Sequence, residues 1–553
     1  MVKPIIVVVD EDDAGRHALH DALSVRFGNE YLVVPEVSAE GCLATVDRLG
    51  GRDAAVALVI AAHRRPDPVD CSLFVQVHRS HSCAQRLLVL PLRPGPSDAV
   101  LRPLALGQID DFLLVPWGHP DETFYPQITG MLSAWVRTAD PPSFEAVTIV
   151  GAQWSARSHE LRDRLVRNQV PLGFYTDDSE RGRQILRDAH LDGSRLPVVV
   201  LWDGRTFVDP SIGDLARAVG GRTTAEPTVY DLTIVGAGPA GLAAAVYGSS
   251  EGLRVCVVES EAQGGQAGTS SLIRNYLGFP RGVSGRELAR RAGQQAWEFG
   301  TTFVYNEACG LRGAGPHRVL TMADGTEATS RAVVLAPGIA YRRLDMPGAE
   351  DFVGVGVFYG AGVTEAKAMT GLEVFVAGAG NSAGQAALHF ATYAAQVTIV
   401  MRGDSLARSM SDYLVQQIGY TANVTVLPCT EVSAVHGEDR VEGLTLRSTD
   451  GTTTRRSAAA LFIMIGADPH TGWLGDDVLR TSRGYILTGL DLLDDGRRPA
   501  GWPLRRLPLP METSLPGVFA VGDVRHGSVK RVASAVGAGA IAVQFVHQYL
   551  ASG

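Results

Sequence analysis

The chain has 553 residues, 45% hydrophobic and 20% charged, and a formal net charge of −9. At roughly 150 residues per domain this length predicts three or four domains, and the composition excludes collagen-like, disordered and coiled-coil classes. The longest purely apolar run, Ala54 to Ala62, is far short of the ~20 residues that span a bilayer. Without a basic block, the acidic balance argues against nucleic acid as a partner. Of 50 basic residues only Lys3, Lys367 and Lys530 are lysine, which reads as genome composition, not chemistry.

Residues 5–9, Ile-Ile-Val-Val-Val, run straight into Asp10 and Glu11 with no small-residue cleavage site. A buried strand explains them better than a signal peptide, and the expected location is cytoplasmic. Over 1–138 short apolar runs at 5–9, 56–62, 87–90 and 111–115 alternate with helical periods, which predicts an open, doubly wound parallel sheet. Asp140-Pro141-Pro142-Ser143 is a stiff break. A smaller α/β unit spans 145–222, with a strand at 147–150, a helical stretch at 158–168 and the run Leu196-Pro197-Val198-Val199-Val200-Leu201. Residues 220–227 read as a linker, and a new strand follows at 231–235.

Gly236-Ala-Gly238-Pro239-Ala240-Gly241 follows that strand directly and opens a small-residue helix. Dinucleotide binding needs this order, because glycine lets backbone approach a pyrophosphate and the helix N-terminus offers unpaired N–H groups to its charge. Glu259 ends the next strand, at the distance expected for a carboxylate accepting from a ribose hydroxyl. A second copy, Gly378-Ala-Gly380-Asn381-Ser382-Ala383, follows the strand at 373–377. Its next strand ends at Met401-Arg402-Gly403 with no acid for a ribose. An arginine there suits a 2′-phosphate, hence NADPH over NADH, with Arg408 close enough to join it.

From about 228 to 553 the chain resembles low-molecular-weight thioredoxin reductases and their flavoprotein relatives. Gly264-Gly265-Gln266 and Asn275 match that family's flavin segment, and Ala336-Pro337-Gly338 stands at its hinge motif, with proline for threonine. Phe519-Ala-Val-Gly522-Asp523 matches its second flavin motif. Lys530-Arg531-Val532 stands where the family has a basic residue, Arg and Gln beside the flavin ring. The resemblance implies an FAD domain in two parts, 228–345 and 469–553, with an NADPH domain inserted at 346–468. The segments 344–348 and 466–469 would be the connectors about which the domains rotate. It also implies a homodimer.

The same family carries a redox-active Cys-x-x-Cys in its NADPH domain just after a tyrosine. Here the segment reads Phe358-Tyr359-Gly360-Ala361-Gly362-Val363, so the two positions fall on Gly360 and Val363. The six cysteines include no Cys-x-x-Cys pair, and disulfide exchange needs a thiolate with a resolving partner. Residues 1–138 are similar to a response-regulator receiver with Ala62 at the acceptor position, Pro91 at the hydroxyl position and Val115 at the lysine position. Asp10 and Glu11 could bind a metal, although solvated turn acids explain them better. Residues 145–222 resemble a thioredoxin- or glutaredoxin-like domain in which Ser155 and Ser158 replace the cysteines, with Leu196-Pro197 at the cis-proline turn.

The expected whole is therefore α/β throughout: a degenerate receiver-like domain, a degenerate thioredoxin-like domain, and two Rossmann-like domains of thioredoxin reductase type, as in fused response regulator/thioredoxin reductase proteins. The expected activity is FAD-dependent oxidation of NADPH with electrons passed to a non-disulfide acceptor: a small organic molecule, a quinone or dioxygen, in specialised metabolism. A ferredoxin is less favoured because no basic docking patch is evident. The alternative is a regulatory or scaffold protein that holds FAD and NADPH and acts through its receiver-like and thioredoxin-like domains, with a protein partner at the receiver-like one. Tyr359, Tyr276 and His470 are polar groups that could stand near the nucleotide clefts, although packing explains each more simply, and none is assigned as acid or base. No catalytic residue and no metal site is assigned.

Overall fold

The computed structural model describes residues 3–50, 55–64, 69–81, 83–91, 103–104, 107–115, 124–139, 145–168, 170–279, 282–360, 363–499 and 501–552. The break expected at 140–143 lies outside them, as do Ala361 and Gly362. The chain divides into two compact units, 1–143 with 411–421, and 144–410 with 422–553.

In the first unit, strands β1 (Ile5–Val9), β2 (Leu32–Glu36), β3 (Val56–Ala62), β4 (Gln85–Pro91) and β5 (Asp111–Val115) form a parallel sheet in the order β2-β1-β3-β4-β5. This is the flavodoxin-like doubly wound order. Every residue of β1 is buried, as a central parallel strand covered on both faces requires. The helix Asp13–Phe27 is capped by Asp12, whose carboxylate accepts from the Gly15 N–H at 2.8 Å.

Asp10 differs from its expected exposure. It is only 1% exposed, and the Arg64 guanidinium, two residues past β3, donates to it from Nε at 2.9 Å and Nη2 at 2.7 Å. A side-chain cation thus neutralises the acid, and no group of three or more metal-ligating side chains occurs among the described residues. The helix Asp412–Tyr420, which the sequence boundaries assign to the inserted NADPH domain, groups with this first unit instead.

The second unit contains three larger sheets. The four-stranded one runs Leu172–Thr176, Val147–Gly151, Val198–Leu201, Thr206–Val208, parallel between the first two and antiparallel thereafter. The Leu196–Pro197 peptide is cis. The adjoining helix spans Ala156–Arg167 and is capped by Ser155, whose Oγ accepts from the Ser158 N–H at 3.2 Å. Ser158 itself is fully buried.

The second sheet runs Thr302–Tyr305, Val255–Glu259, Val229–Val235, Glu327–Leu335, His317–Met322, Ala308–Ala314, and Val518–Ala520 joins it beside Glu327–Leu335. The C-terminal segment therefore returns to a sheet begun nearly 300 residues earlier. Helix Pro239–Ser250 packs against the terminal helix Val532–Ser552 around Leu232, Ile234, Ala244, Phe519 and Val546.

The third sheet is wholly parallel, in the order Val357–Tyr359, Ala460–Ile463, Glu373–Ala377, Gln396–Val400, Val424–Leu427. A three-stranded antiparallel sheet, Thr430–Gly437, Val441–Ser448, Thr453–Ser457, accompanies it. The chain enters and leaves this region through an antiparallel pair, Ile339–Tyr341 with Ala467–Pro469. The crossing therefore begins earlier than the expected 344–348. No helix among the described residues is long and apolar enough to cross a membrane.

Candidate functional site

The first glycine loop connects strand Val229–Val235 to helix Pro239–Ser250. Gly236 has φ +99°, and a Cβ there would collide with the Ala336 carbonyl oxygen. Only glycine satisfies both conditions. A Cβ on Gly241 would strike the Gly236 carbonyl, whereas one on Gly238 would point into open space. The loop is thus tight against its own sheet and bare on its outer side. With Pro239 in the first helical turn, the free N–H groups of the helix face that bare side, as an anion requires.

Segments remote in sequence close around this loop. Gly264 N–H donates to the Ala237 carbonyl at 2.7 Å, and a Cβ on Gly265 would lie 3.2 Å from the Gly238 Cα. A Cβ on Gly522 would lie 2.9 Å from that of Ala240. The Gln266 amide donates to the Ile339 carbonyl, next to Gly338. His470 N–H donates to the Gly338 carbonyl at 3.1 Å, which brings that residue to the rim of the site. Asp523 is half-buried, and burial pushes its carboxyl up. Lys530 bonds the Asp523 carbonyl and lies 4.6 Å from the Tyr485 ring centroid. Arg531 is exposed, and Val532 begins the terminal helix.

Glu259 is 7% exposed. Its carboxylate accepts from the backbone of Ala237 at 2.6 Å, Glu261 at 2.7 Å and Ala262 at 3.1 Å. Burial raises its carboxyl against the opposing pull of these bonds. Two carboxylate oxygens offer about four acceptor positions, so three backbone donors leave one for a ribose hydroxyl. Asn275, by contrast, is exposed, and no hydrogen bond among the described residues joins it to the cradle.

The second loop repeats the plan. A Cβ on Gly378 would collide with the Met464 carbonyl, Gly380 is open, and Ala383 is fully buried where the third small residue belongs. Gly380 caps helix Asn381–Phe390, and the Ser409 hydroxyl donates to the Ala379 carbonyl at 2.8 Å. Ser382 is exposed and Asn381 half-buried. Arg402 is exposed, and Arg408, also exposed, pairs with Asp404 at 3.1 Å. Burial first, and Arg286 second, push His389 on this helix down to about 4.

Tyr341 is the residue that pattern reading missed. Gly360 has φ +103°, and a Cβ there would lie 2.7 Å from the Tyr341 ring. The ring of a crossing strand thus fills the place beside one of the two positions where the resemblance expects cysteine. Burial pushes the Tyr341 phenol up. The only signal in the sequence is its place three residues after Gly338. Tyr359 and Tyr276 have local partners: the Tyr359 hydroxyl accepts from Leu344 N–H at 3.3 Å, and Tyr276 packs on Phe279 at 5.9 Å. All six cysteines are free thiols, and burial raises Cys256 and Cys42 to about 12 and Cys71 to about 11.

Known proteins resemble this region throughout. The thioredoxin reductase of Treponema pallidum (strain Nichols) is 34% identical over 325 residues, 58% of this chain and 98% of that protein. That of Bacillus subtilis (strain 168) is 32% identical over 334 residues, 59% of this chain and 96% of the relative. The crystal structure of Lactococcus lactis thioredoxin reductase in its FR conformation aligns with TM-score 0.52 and 27% identity, covering 58% of this chain and 99% of that one. Thioredoxin reductase from T. acidophilum aligns with TM-score 0.51 and 27% identity, covering 58% and 98%. Reductases of this type use FAD and NADPH. The bare outer sides of both loops, their helix N-termini and the remaining acceptor position on Glu259 fit two such dinucleotides. The family model for pyridine nucleotide-disulphide oxidoreductase matches residues 230–539, and the chain belongs to that family.

Proposed function

We propose that the protein is an NADPH-dependent flavoprotein oxidoreductase that delivers electrons to a non-disulfide acceptor: a small organic molecule, a quinone or dioxygen. Bound flavin supplies the two-electron chemistry between a reduced nicotinamide and that acceptor. Gly236, Gly238, Pro239, Ala240 and Gly241 cradle the FAD pyrophosphate, and Glu259 accepts from its ribose. Gly265, Gln266, Asn275, Gly338, Gly522, Asp523, Arg531 and Val532 complete that site. Gly378, Gly380, Asn381, Ser382 and Ala383 hold the NADPH pyrophosphate, with Arg402 and Arg408 on its 2′-phosphate.

One observation carries the choice of acceptor. Position 360 is a glycine with φ +103° whose side-chain space holds the Tyr341 ring, and position 363 is valine. Neither residue of a thiol pair is present, and at 360 the Tyr341 ring takes the space a side chain would need. The remaining cysteines are isolated, and the buried ones are held as unreactive thiols.

The test is anaerobic addition of NADPH to the yellow protein, followed by candidate acceptors. The flavin bleaches, reoxidises with dioxygen or a quinone, and stays reduced with oxidised thioredoxin or a small aromatic disulfide. Rapid reoxidation by a disulfide would overturn the acceptor assignment. Flavin that stays yellow with NADPH bound would favour the regulatory reading.

A further inference from the structure

Ser155 and Ser158 stand where the resemblance expects two redox cysteines, and the helix Ala156–Arg167 that they open touches both dinucleotide domains. Toward its N-terminal end the helix meets the inserted domain. His159 Nδ1 lies 2.8 Å from Glu365 Oε1, and Arg162 Nη1 lies 3.6 Å from Glu365 Oε2. Glu365 is 3% exposed. Burial alone would raise its carboxyl, but His159 and Arg162 hold it below the usual range. The His159 ring packs on Phe358 at 5.0 Å, and Arg440 covers the Trp154 ring at 5.4 Å. A Cβ on Gly354 would lie 2.8 Å from the Ala156 Cα. These contacts flank the segment that holds Gly360.

The other end of the helix grips the first glycine-loop domain. Arg164 donates to the Ser260 carbonyl at 3.0 Å, and the Asn168 amide to the Glu261 carbonyl at 2.9 Å. Arg167 pairs with the Glu261 carboxylate at 2.8 Å. Residues 260–262 are the turn whose N–H groups hold Glu259. The same helix is thus two bonds removed from the ribose acid of one cradle and adjacent to Gly360 of the other domain.

We propose that helix Ala156–Arg167 is a strut that joins the two dinucleotide domains, with Arg164, Arg167 and Asn168 as positioning residues for FAD and Glu365 as its anchor on the other domain. The degenerate redox turn keeps its shape because it docks, not because it exchanges thiols. Strain or release at the Glu365 anchor then reaches the 260–262 turn through a rigid element, so FAD affinity depends on a contact made outside the FAD domain. The inference rests on the assignment of FAD to the Gly236 loop and is independent of the acceptor.

The experiment uses the full chain, stripped of flavin, with FAD affinity read from flavin fluorescence and amide hydrogen exchange followed at 259–262 and 363–369. The double variant Arg167→Ala/Asn168→Ala removes one ion pair and one neutral hydrogen bond to the turn, so it weakens FAD binding roughly tenfold and speeds exchange at 259–262. Arg167→Lys alone recovers part of that loss. Glu365→Gln speeds exchange at 363–369, and the strut carries the change onward: exchange at 259–262 rises and FAD binds several-fold more weakly. His159→Ala gives the same pattern should Glu365→Gln fail to fold. Faster exchange confined to 363–369, with FAD affinity within twofold of the parent, would overturn the strut. Failure of the parent apoprotein to bind FAD would count against the FAD assignment instead, while the exchange pattern still reads the mechanical coupling.

Discussion

The two glycine loops share one plan and differ in their surroundings. Around the first, turns from residues 264–266 and 522–523 close to within about van der Waals distance, and a buried carboxylate takes three backbone donors. Gly238 and Gly380 face open space alike, but around the second loop the two arginines expected to read the nucleotide are exposed. Under the proposed assignment the same fingerprint serves two purposes. An enclosed loop suits a resident group that stays through many turnovers, and an open one suits a reductant that must leave after each.

The comparison breaks most sharply at the positions where a side chain collides with backbone. Gly236→Val drives a branched side chain into the Ala336 carbonyl at a backbone angle that valine resists. The variant should purify without flavin, as read from absorbance and FAD content per chain. Gly378→Val makes the matching collision with Met464 at the second loop. It should keep FAD and lose roughly 100-fold in the rate constant for flavin reduction by NADPH under subsaturating conditions, measured by stopped-flow bleaching. Equal loss of FAD in both variants would erase the distinction between enclosed and open sites.

A titration sharpens it. His389 lies on the helix of the second loop, and its folded pKa of about 4 is below the ordinary 6.5. As pH falls the unfolded chain takes up this proton first, so stability is full above pH 6.5 and declines toward pH 4. The loss amounts to at most about 3 kcal/mol. Thermal unfolding at pH 7 and pH 5 should show a smaller drop for His389→Gln than for the parent, and equal drops would remove His389 as the cause.

Arg402→Ala has a smaller effect, confined to one nucleotide. Loss of a charged bond to a 2′-phosphate should raise KM for NADPH about tenfold and leave KM for NADH within twofold. Parallel changes for both nucleotides would mean that Arg402 is a solvated surface residue.

What the sequence made legible follows from range. Strand, tight turn and helix are encoded within about 25 residues, so both glycine loops and Glu259 can be read directly. The Gly265 and Gly522 turns needed the resemblance, because their meeting with Gly238 and Ala240 is tertiary. Arg64 on Asp10 was invisible for the same reason: a lone arginine after a strand carries no sign that it will neutralise an acid 54 residues earlier. Tyr341 beside Gly360 and the helix Ala156–Arg167 between two domains are likewise products of packing. Sequence reading saw missing cysteines at 155, 158, 360 and 363. The structure adds what stands at the first three: a helix cap at 155, a buried hydroxyl at 158 and a tyrosine ring beside 360.

The smallest expected effect separates shape from chemistry in that helix. Ser155 caps it, accepting from the Ser158 N–H at 3.2 Å, so Ser155→Ala should cost about 1 kcal/mol of stability. The Ser158 hydroxyl is buried with no hydrogen-bond partner, so Ser158→Ala removes an unsatisfied group and should be neutral or slightly stabilising. Neither serine lies in a nucleotide loop, and the double variant should reduce its flavin with NADPH at the parent's rate while melting a few degrees lower. A rate loss of tenfold or more with flavin fully bound would mean that the 155–158 turn touches the chemistry. The contrast between a domain that reacts and one that only holds would then fail.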